Sequence, residues 1–136
     1  MRGLDILFLD DDQVVCEILA AQMKRLDHNV TVVNDPKAAI KLLQSGSEFD
    51  VLVTDISMPG DLGGMDVATA AWDLSEGRIK IIFLTGFLDL TKFSEPLSKM
   101  DYTYLKKPVR KAKLAEALTR APTTQHARAS VPADRS

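Results

Sequence analysis

The sequence predicts an α/β fold: a doubly wound, five-stranded parallel sheet of the (βα)5 type. Three observations carry that prediction. Short apolar runs alternate with amphipathic stretches along the whole chain. The runs are apolar at consecutive positions, as strands covered on both faces of a parallel sheet require. The chain has 136 residues, 46% hydrophobic and 26% charged, which is the size and composition of one globular domain.

The elements follow in order. Ile6-Leu7-Phe8-Leu9 is the first strand and ends in Asp10, Asp11 and Asp12. Asp12 suits a helix N-cap, after which Val15, Leu19, Gln22, Met23 and Leu26 fall three or four apart on one face. Val30 to Val33 is a β-branched second strand. Asp35-Pro36 then reads as N-cap and first helical position, with Ala39, Leu42 and Leu43 at helical spacing and Gly46 as the stop. Val51 to Thr54 is the third strand, and Val67, Ala70, Ala71 and Leu74 mark a third helix that ends near Gly77. Ile79 and Ile81 to Leu84 form the fourth strand, interrupted by Lys80. A weaker helix spans Leu88 to Met100, and Pro96 inside it should bend or shorten it. Tyr102 to Leu105 is the fifth strand; Val109, Ala112, Leu114, Ala115 and Leu118 mark the last helix. Right-handed crossovers leave few topologies, and the flavodoxin-like order 2-1-3-4-5 fits best, with a crevice at the carboxyl ends of the strands. The domain is expected over 1–120. Residues 121–136 are small, polar and proline-broken, and read as a flexible tail.

Charge and composition exclude several function classes. A net charge of −2 argues against a general nucleic-acid binder. No apolar run approaches the roughly 20 residues that span a bilayer. Met1-Arg2-Gly3-Leu4-Asp5 lacks a signal-peptide layout, and the single Cys16 can form neither an internal disulfide nor a zinc site. The expectation is a reduced, cytoplasmic protein without nucleic-acid or membrane partners.

The chemistry collects at the strand ends. Strand one ends in Asp10 and Asp11, strand three in Asp55, strand four in Thr85-Gly86 and strand five in Lys106-Lys107-Pro108. In the predicted order these ends converge on one crevice. Crowded carboxylates need a cation, and oxygen ligands without nearby histidine or cysteine suit a hard ion such as Mg2+. Asp55 stands alone on the central strand, facing the acidic pair, and is assigned as a nucleophile that would form an aspartyl-phosphate. Lys107 and Thr85 would neutralise charge on the transferred group.

Ile6-Leu7-Phe8-Leu9-Asp10-Asp11, Asp55-Ile56-Ser57-Met58-Pro59 with Gly64, Leu84-Thr85-Gly86 and Tyr104-Leu105-Lys106-Lys107-Pro108 together resemble the receiver domain of bacterial two-component response regulators. The likeness covers about residues 4–120. It implies transfer of a phosphoryl group to Asp55 from a histidine kinase or a histidine phosphotransfer protein. It implies Mg2+ held by Asp11, Asp55 and the backbone carbonyl of Ser57, with Asp10 acting mainly through water. It makes Thr85 and Tyr104 a switch pair that remodels the face of helix four, strand five and helix five. It makes Val14, Val15 and Ile18 on helix one, with the Pro108 loop, the docking surface for the kinase, and it implies a cis bond before Pro108. With no output module after residue 120, the resemblance is to the stand-alone type, which signals to a downstream protein by contact. The sequence departs from the family in a Pro59–Gly64 loop one residue longer than usual, and in the irregular fourth helix. Phe87, two residues beyond the threonine, is expected to shield the site from water. Phe87→Glu should then change the phosphoryl lifetime.

Two other functions compete. Phe8-Leu9-Asp10-Asp11-Asp12 also fits the strand-end Asp-x-Asp of haloacid-dehalogenase-type phosphatases, with Asp10 as nucleophile and Asp12 as general acid. That reading leaves Asp55-x-x-Met-Pro unexplained and lacks an acidic metal motif after the lysine. A receiver fold used as an unphosphorylated binding module is the third. Elsewhere the plainer readings hold: Lys106 as a surface charge, Cys16 as a buried thiol on helix one, His28 and His126 as solvated, Trp72 as packing, and Asn34-Asp35 as simply a helix cap.

Overall fold

The computed structural model describes residues 3–56, 58, 60, 62–86 and 91–119. The expectations placed on Ser57, Pro59, Asp61, Phe87 and His126, on residues 88–90 and on the tail 121–136 lie outside them. Strands β1 (Asp5–Leu9), β2 (Asn29–Val33), β3 (Val51–Asp55), β4 (Lys80–Thr85) and β5 (Tyr102–Lys106) form one parallel sheet in the order β2-β1-β3-β4-β5. Helices α1 (Gln13–Arg25), α2 (Pro36–Gln44), α3 (Gly64–Leu74), α4 (Ser94–Leu97) and α5 (Lys111–Thr119) alternate with them. Among the described residues no helix is long and apolar enough to cross a membrane.

Side chains alternate along each strand, so the sheet builds two cores. Ile6, Phe8, Val51, Val53, Ile82 and Leu84 pack under α1 and α5. Leu7, Leu9, Leu52, Ile81 and Phe83 pack against α2, α3 and Leu97 of α4. The central strands β3 and β4 are buried on both faces, which is why they read as unbroken apolar runs. The caps follow the sequence: Asp12 Oδ1 accepts from the backbone N–H of Val14 (3.0 Å) and Val15 (3.2 Å), and Asp35 Oδ2 from Ala38 (3.1 Å).

Several expectations need correction. The buried stripe of α1 is Cys16, Leu19, Ala20 and Met23, while Leu26 lies past the helix end and is exposed. Leu74, on the last turn of α3, is exposed as well. Lys80 is buried: its ammonium donates to the Ala117 carbonyl at 2.7 Å and so caps the end of α5. His28 is buried too, and its Nδ1 accepts from the Leu4 N–H at 3.0 Å. Among the described residues, the helical part after β4 is a 3-10 turn over Thr91–Phe93 followed by the four residues of α4, a short helix as expected from Pro96.

Candidate functional site

Strand register brings the acids together. Phe8 pairs with Val53, so Asp10 and Asp55, each two residues on, project to the same face. Asp10 is fully buried, and its N–H still reaches the Val33 carbonyl at 3.3 Å as the chain leaves the sheet. Asp11 follows and is exposed. One carboxylate oxygen each from Asp10, Asp11 and Asp55 lie within 4.8 Å of one another.

Lys107 closes this cluster from β5. Its Nζ stands 3.0 Å from Asp10 Oδ2 and 3.3 Å from Asp55 Oδ2, its N–H donates to the Thr85 carbonyl at 2.8 Å, and its bond to Pro108 is cis. Burial is the largest single influence on the Lys107 ammonium and acts against its charge. The hydrogen bonds and negative charges of Asp10 and Asp55 together outweigh it and hold the pKa above the ordinary lysine value. Three carboxylates against one ammonium still leave an excess of negative charge. An all-oxygen donor set of this kind fits Mg2+.

The start of α3 is seated on the same strand end. Gly64 lies so close to the Asp55 carbonyl that a Cβ there would collide with it, and the Gly64 N–H donates to the Ile56 carbonyl at 3.0 Å. Thr54 Oγ1 also donates to the Asp55 carbonyl, at 2.9 Å. Asp55 is thereby held at the mouth of the crevice, its side chain 13% exposed against 0% for Asp10.

Thr85 ends β4 and is buried. Phe83 pairs with Tyr104, and Thr85 lies two residues beyond Phe83, so Thr85 and Tyr104 share the α4 face of the sheet. Tyr104 is 44% exposed. A groove of about 570 Å3 opens beside it between β5 and α5, with Lys106, Arg110 and Lys113 on its walls. On α1, Val14 and Ile18 are exposed while Val15 packs partly into the core, and Pro108 is exposed.

Two side chains enter the site that the sequence reading left out of it. Asn34 is no part of the α2 cap: its Nδ2 donates to the Asp10 carbonyl at 3.0 Å and lies 3.4 Å from Cys16 Sγ. Cys16 Sγ donates to the same carbonyl at 3.2 Å. The available signal was a polar amide at a strand end, one residue ahead of the residue that caps the helix.

The model of the response regulator receiver domain matches residues 6–119. Among curated proteins, the two-component response regulator ARR10 of Arabidopsis thaliana is 29% identical over 109 residues, 79% of this chain and 19% of that protein. ORR7 of Oryza sativa subsp. japonica is 27% identical over 116 residues, 85% of this chain and 55% of that protein. The chain thus spans about a fifth of the one and about half of the other. Among solved structures, a response regulator receiver protein from Sinorhizobium medicae WSM419 superposes with a TM-score of 0.77 at 27% identity, covering 85% of this chain and 91% of that one. The receiver domain of sensor histidine kinase PA1611 from Pseudomonas aeruginosa PAO1, solved with a magnesium ion in its active-site cleft, gives 0.75 at 27%, covering 89% and 98%. Receiver domains are phospho-acceptor switches that take a phosphoryl group on an aspartate. With the match running through nearly all of the described fold, the chain belongs to the response regulator receiver domain family.

Proposed function

We propose that Asp55 is the phospho-acceptor, and that a sensor histidine kinase or a histidine phosphotransfer protein is the donor. The observation that carries this reading is the meeting of Asp10, Asp11 and Asp55 within 4.8 Å, closed by Lys107. A carboxylate oxygen of Asp55 attacks the phosphorus of a phosphohistidine. The P–N bond breaks, its electron pair returns to the histidine nitrogen, and an acyl phosphate remains. Exposure distinguishes the candidates. Lys107 engages both, but Asp55 is partly exposed at the crevice mouth, 13% against 0% for Asp10, the nucleophile of the phosphatase alternative.

Asp10, Asp11 and Asp55, with the Ser57 carbonyl, are the residues that would hold Mg2+, which when bound neutralises phosphoryl oxygens. Lys107 offers a fixed positive charge at the same place. Once Asp55 carries the phosphoryl group as an acyl phosphate, its bond to Lys107 weakens, and the ammonium, still held by Asp10, can meet a phosphoryl oxygen. The Thr85 hydroxyl donates to another. Its movement toward the group opens space on the α4 face into which Tyr104 turns, changing the surface offered to a downstream protein. Val14, Val15 and Ile18 with Pro108 form the docking surface for the donor. The domain so read occupies 1–120, with 121–136 as a tail, in a cytoplasmic setting.

The test is intact mass after incubation with Mg2+ and acetyl phosphate. One phosphoryl group should be gained, and lost again with chelator or in Asp55→Asn. Retention in Asp55→Asn with loss in Asp10→Asn, and peptide mapping to Asp10, would overturn the assignment.

A further inference from the structure

Asp11 is the weak point of the acidic cluster. Asp10 is anchored through both carboxylate oxygens, Oδ1 by the Asp12 N–H at 2.9 Å and Oδ2 by Lys107 at 3.0 Å. Asp55 is held by Lys107 and by the packing of α3 against its carbonyl. The Asp11 side chain is exposed and, among the described residues, makes no hydrogen bond or ion pair. Its position is therefore set by its backbone alone, and first by the peptide plane that joins it to Asp10.

That plane is clipped from the side. The Asp10 carbonyl belongs to the Asp10–Asp11 peptide and lies beyond the last ladder bond of β1, so no strand supplies it with a donor. Asn34 Nδ2 and Cys16 Sγ both donate to it, at 3.0 and 3.2 Å. The amide orientation follows from chemistry, because only the NH2 of Asn34 can face a carbonyl. The second amide hydrogen is directed at Cys16 Sγ, 3.4 Å away, so the two clipping side chains also hold each other. Cys16 is buried, so its hydrogen bond to this carbonyl is shielded from water.

We infer that Asn34 and Cys16 are positioning residues that fix the Asp10–Asp11 peptide and thereby hold the Asp11 carboxylate at the cation site. The inference rests on the reading of the acidic cluster as a Mg2+ site and adds two residues from β2's end and from α1 to it. Neither touches the cation or the phosphoryl group. They act as the outer hydrogen-bonding partners of metal ligands do, by restricting the orientations a ligand can take.

The experiment is Mg2+ titration of the full chain, followed by calorimetry and by the backbone amide signal of Asp11, with thermal midpoints measured alongside. Outer partners of metal ligands change affinity by about 10–100-fold. Asn34→Ala should lie near the lower end of that range, about tenfold weaker for Mg2+. Cys16→Ala should weaken binding by less, and Cys16→Ser, which keeps a donor at the same place, should recover it. In the double variant Asn34→Ala/Cys16→Ala the losses should be non-additive, because both act on one carbonyl. If Asn34→Ala does not fold, Asn34→Ser, shorter and still polar, and Cys16→Ala carry the test. Wild-type binding with unchanged affinity in these variants, whatever happens to the midpoint, would reduce the clip to a structural contact and overturn the inference while leaving the Mg2+ site intact. Absence of Mg2+ binding in the wild type would overturn both readings together.

Discussion

Two sides of the crevice are built to different standards of rigidity. On the β1–β3 side, Asp10 is fully buried and bonded through its N–H, its carbonyl and both carboxylate oxygens. On the β4–β5 side, Thr85 is buried at its strand end, but Tyr104 on the same face is 44% exposed. Charge that must be ready before a phosphoryl group arrives is fixed in advance, which avoids reorganisation during transfer. The side that must report the event keeps a half-exposed aromatic residue that can change its burial. Lys107 belongs to both: its ammonium lies among the acids, and its backbone is bonded to Thr85.

Removing that shared residue breaks the comparison most severely. Lys107→Met leaves Asp10 and Asp55 facing each other without their cation. Phosphoryl incorporation from acetyl phosphate should fall by about 10²–10³-fold, the cost of losing one preorganised donor of this type. Stability without Mg2+ should fall by about 1–3 kcal/mol, less than for a fully enclosed pair because the lysine side chain is 23% exposed. Mg2+ should restore part of it. Urea melts with and without Mg2+ measure this; equal stability of variant and wild type in chelator would show that the ammonium does not balance the buried acid.

The acidic side also predicts an alkaline weakness. A group with a higher pKa in the folded than in the unfolded chain stabilises the fold below its unfolded value, and that contribution is lost as pH rises through the folded value. The Cys16 thiol, raised from 9.0 to about 11 by burial, contributes in this way, and so does Lys107, raised from 10.5. Stability should be flat with respect to both groups at neutral pH and decline through the alkaline range. The Cys16 share is at most about 2–3 kcal/mol between pH 9 and 11. Cys16→Ser should flatten that part of the decline and leave the Lys107 part. An unchanged slope between pH 9 and 11 would mean that the thiol is not held protonated.

On the β4–β5 side, Thr85→Ala should slow incorporation by less than Lys107→Met does, yet uncouple the ring. With beryllofluoride and Mg2+ added, Tyr104 should become less exposed than 44% in the wild type and remain outward in Thr85→Ala. Tyrosine quenching in a Tyr102→Phe background reads this directly. Burial of Tyr104 in both proteins would break the proposed link between hydroxyl and ring.

The same division governs what the sequence reveals. The fixed side was legible because its determinants are periodic or terminal: apolar runs locate β1 and β3, acids mark their ends, and Asp12 and Asp35 cap the following helices. Side chains that reach across elements were not. Asn34 clips a neighbouring strand, and Lys80 reaches an α5 carbonyl from 37 residues away. Polarity alone suggested a cap in the first case and an interruption in the second. Exposure at helix ends was misjudged in Leu26 and Leu74, since a spacing rule continues past the point where the helix leaves the core.

The smallest effect on the site is expected at the far end of the sheet, and it tests whether rigidity is local. His28 precedes β2 and is buried, with Nδ1 accepting from the Leu4 N–H where β1 begins. His28→Ala removes that acceptor from a part-buried amide, which should cost about 1–2 kcal/mol. His28→Asn, whose side-chain oxygen can accept, should recover some of it. The strands run from this end to the acids, so if the sheet transmits strain, Mg2+ affinity should change with stability. The hydrogen bonds around Asp10 argue otherwise: each is made by a residue at the carboxyl end of the sheet or on the helix turn that follows it. Mg2+ affinity and phosphoryl incorporation should therefore match the wild type within about twofold wherever the variant is folded. A larger shift in Mg2+ affinity would show that the order of the acidic side depends on the whole sheet and not on its own local bonds.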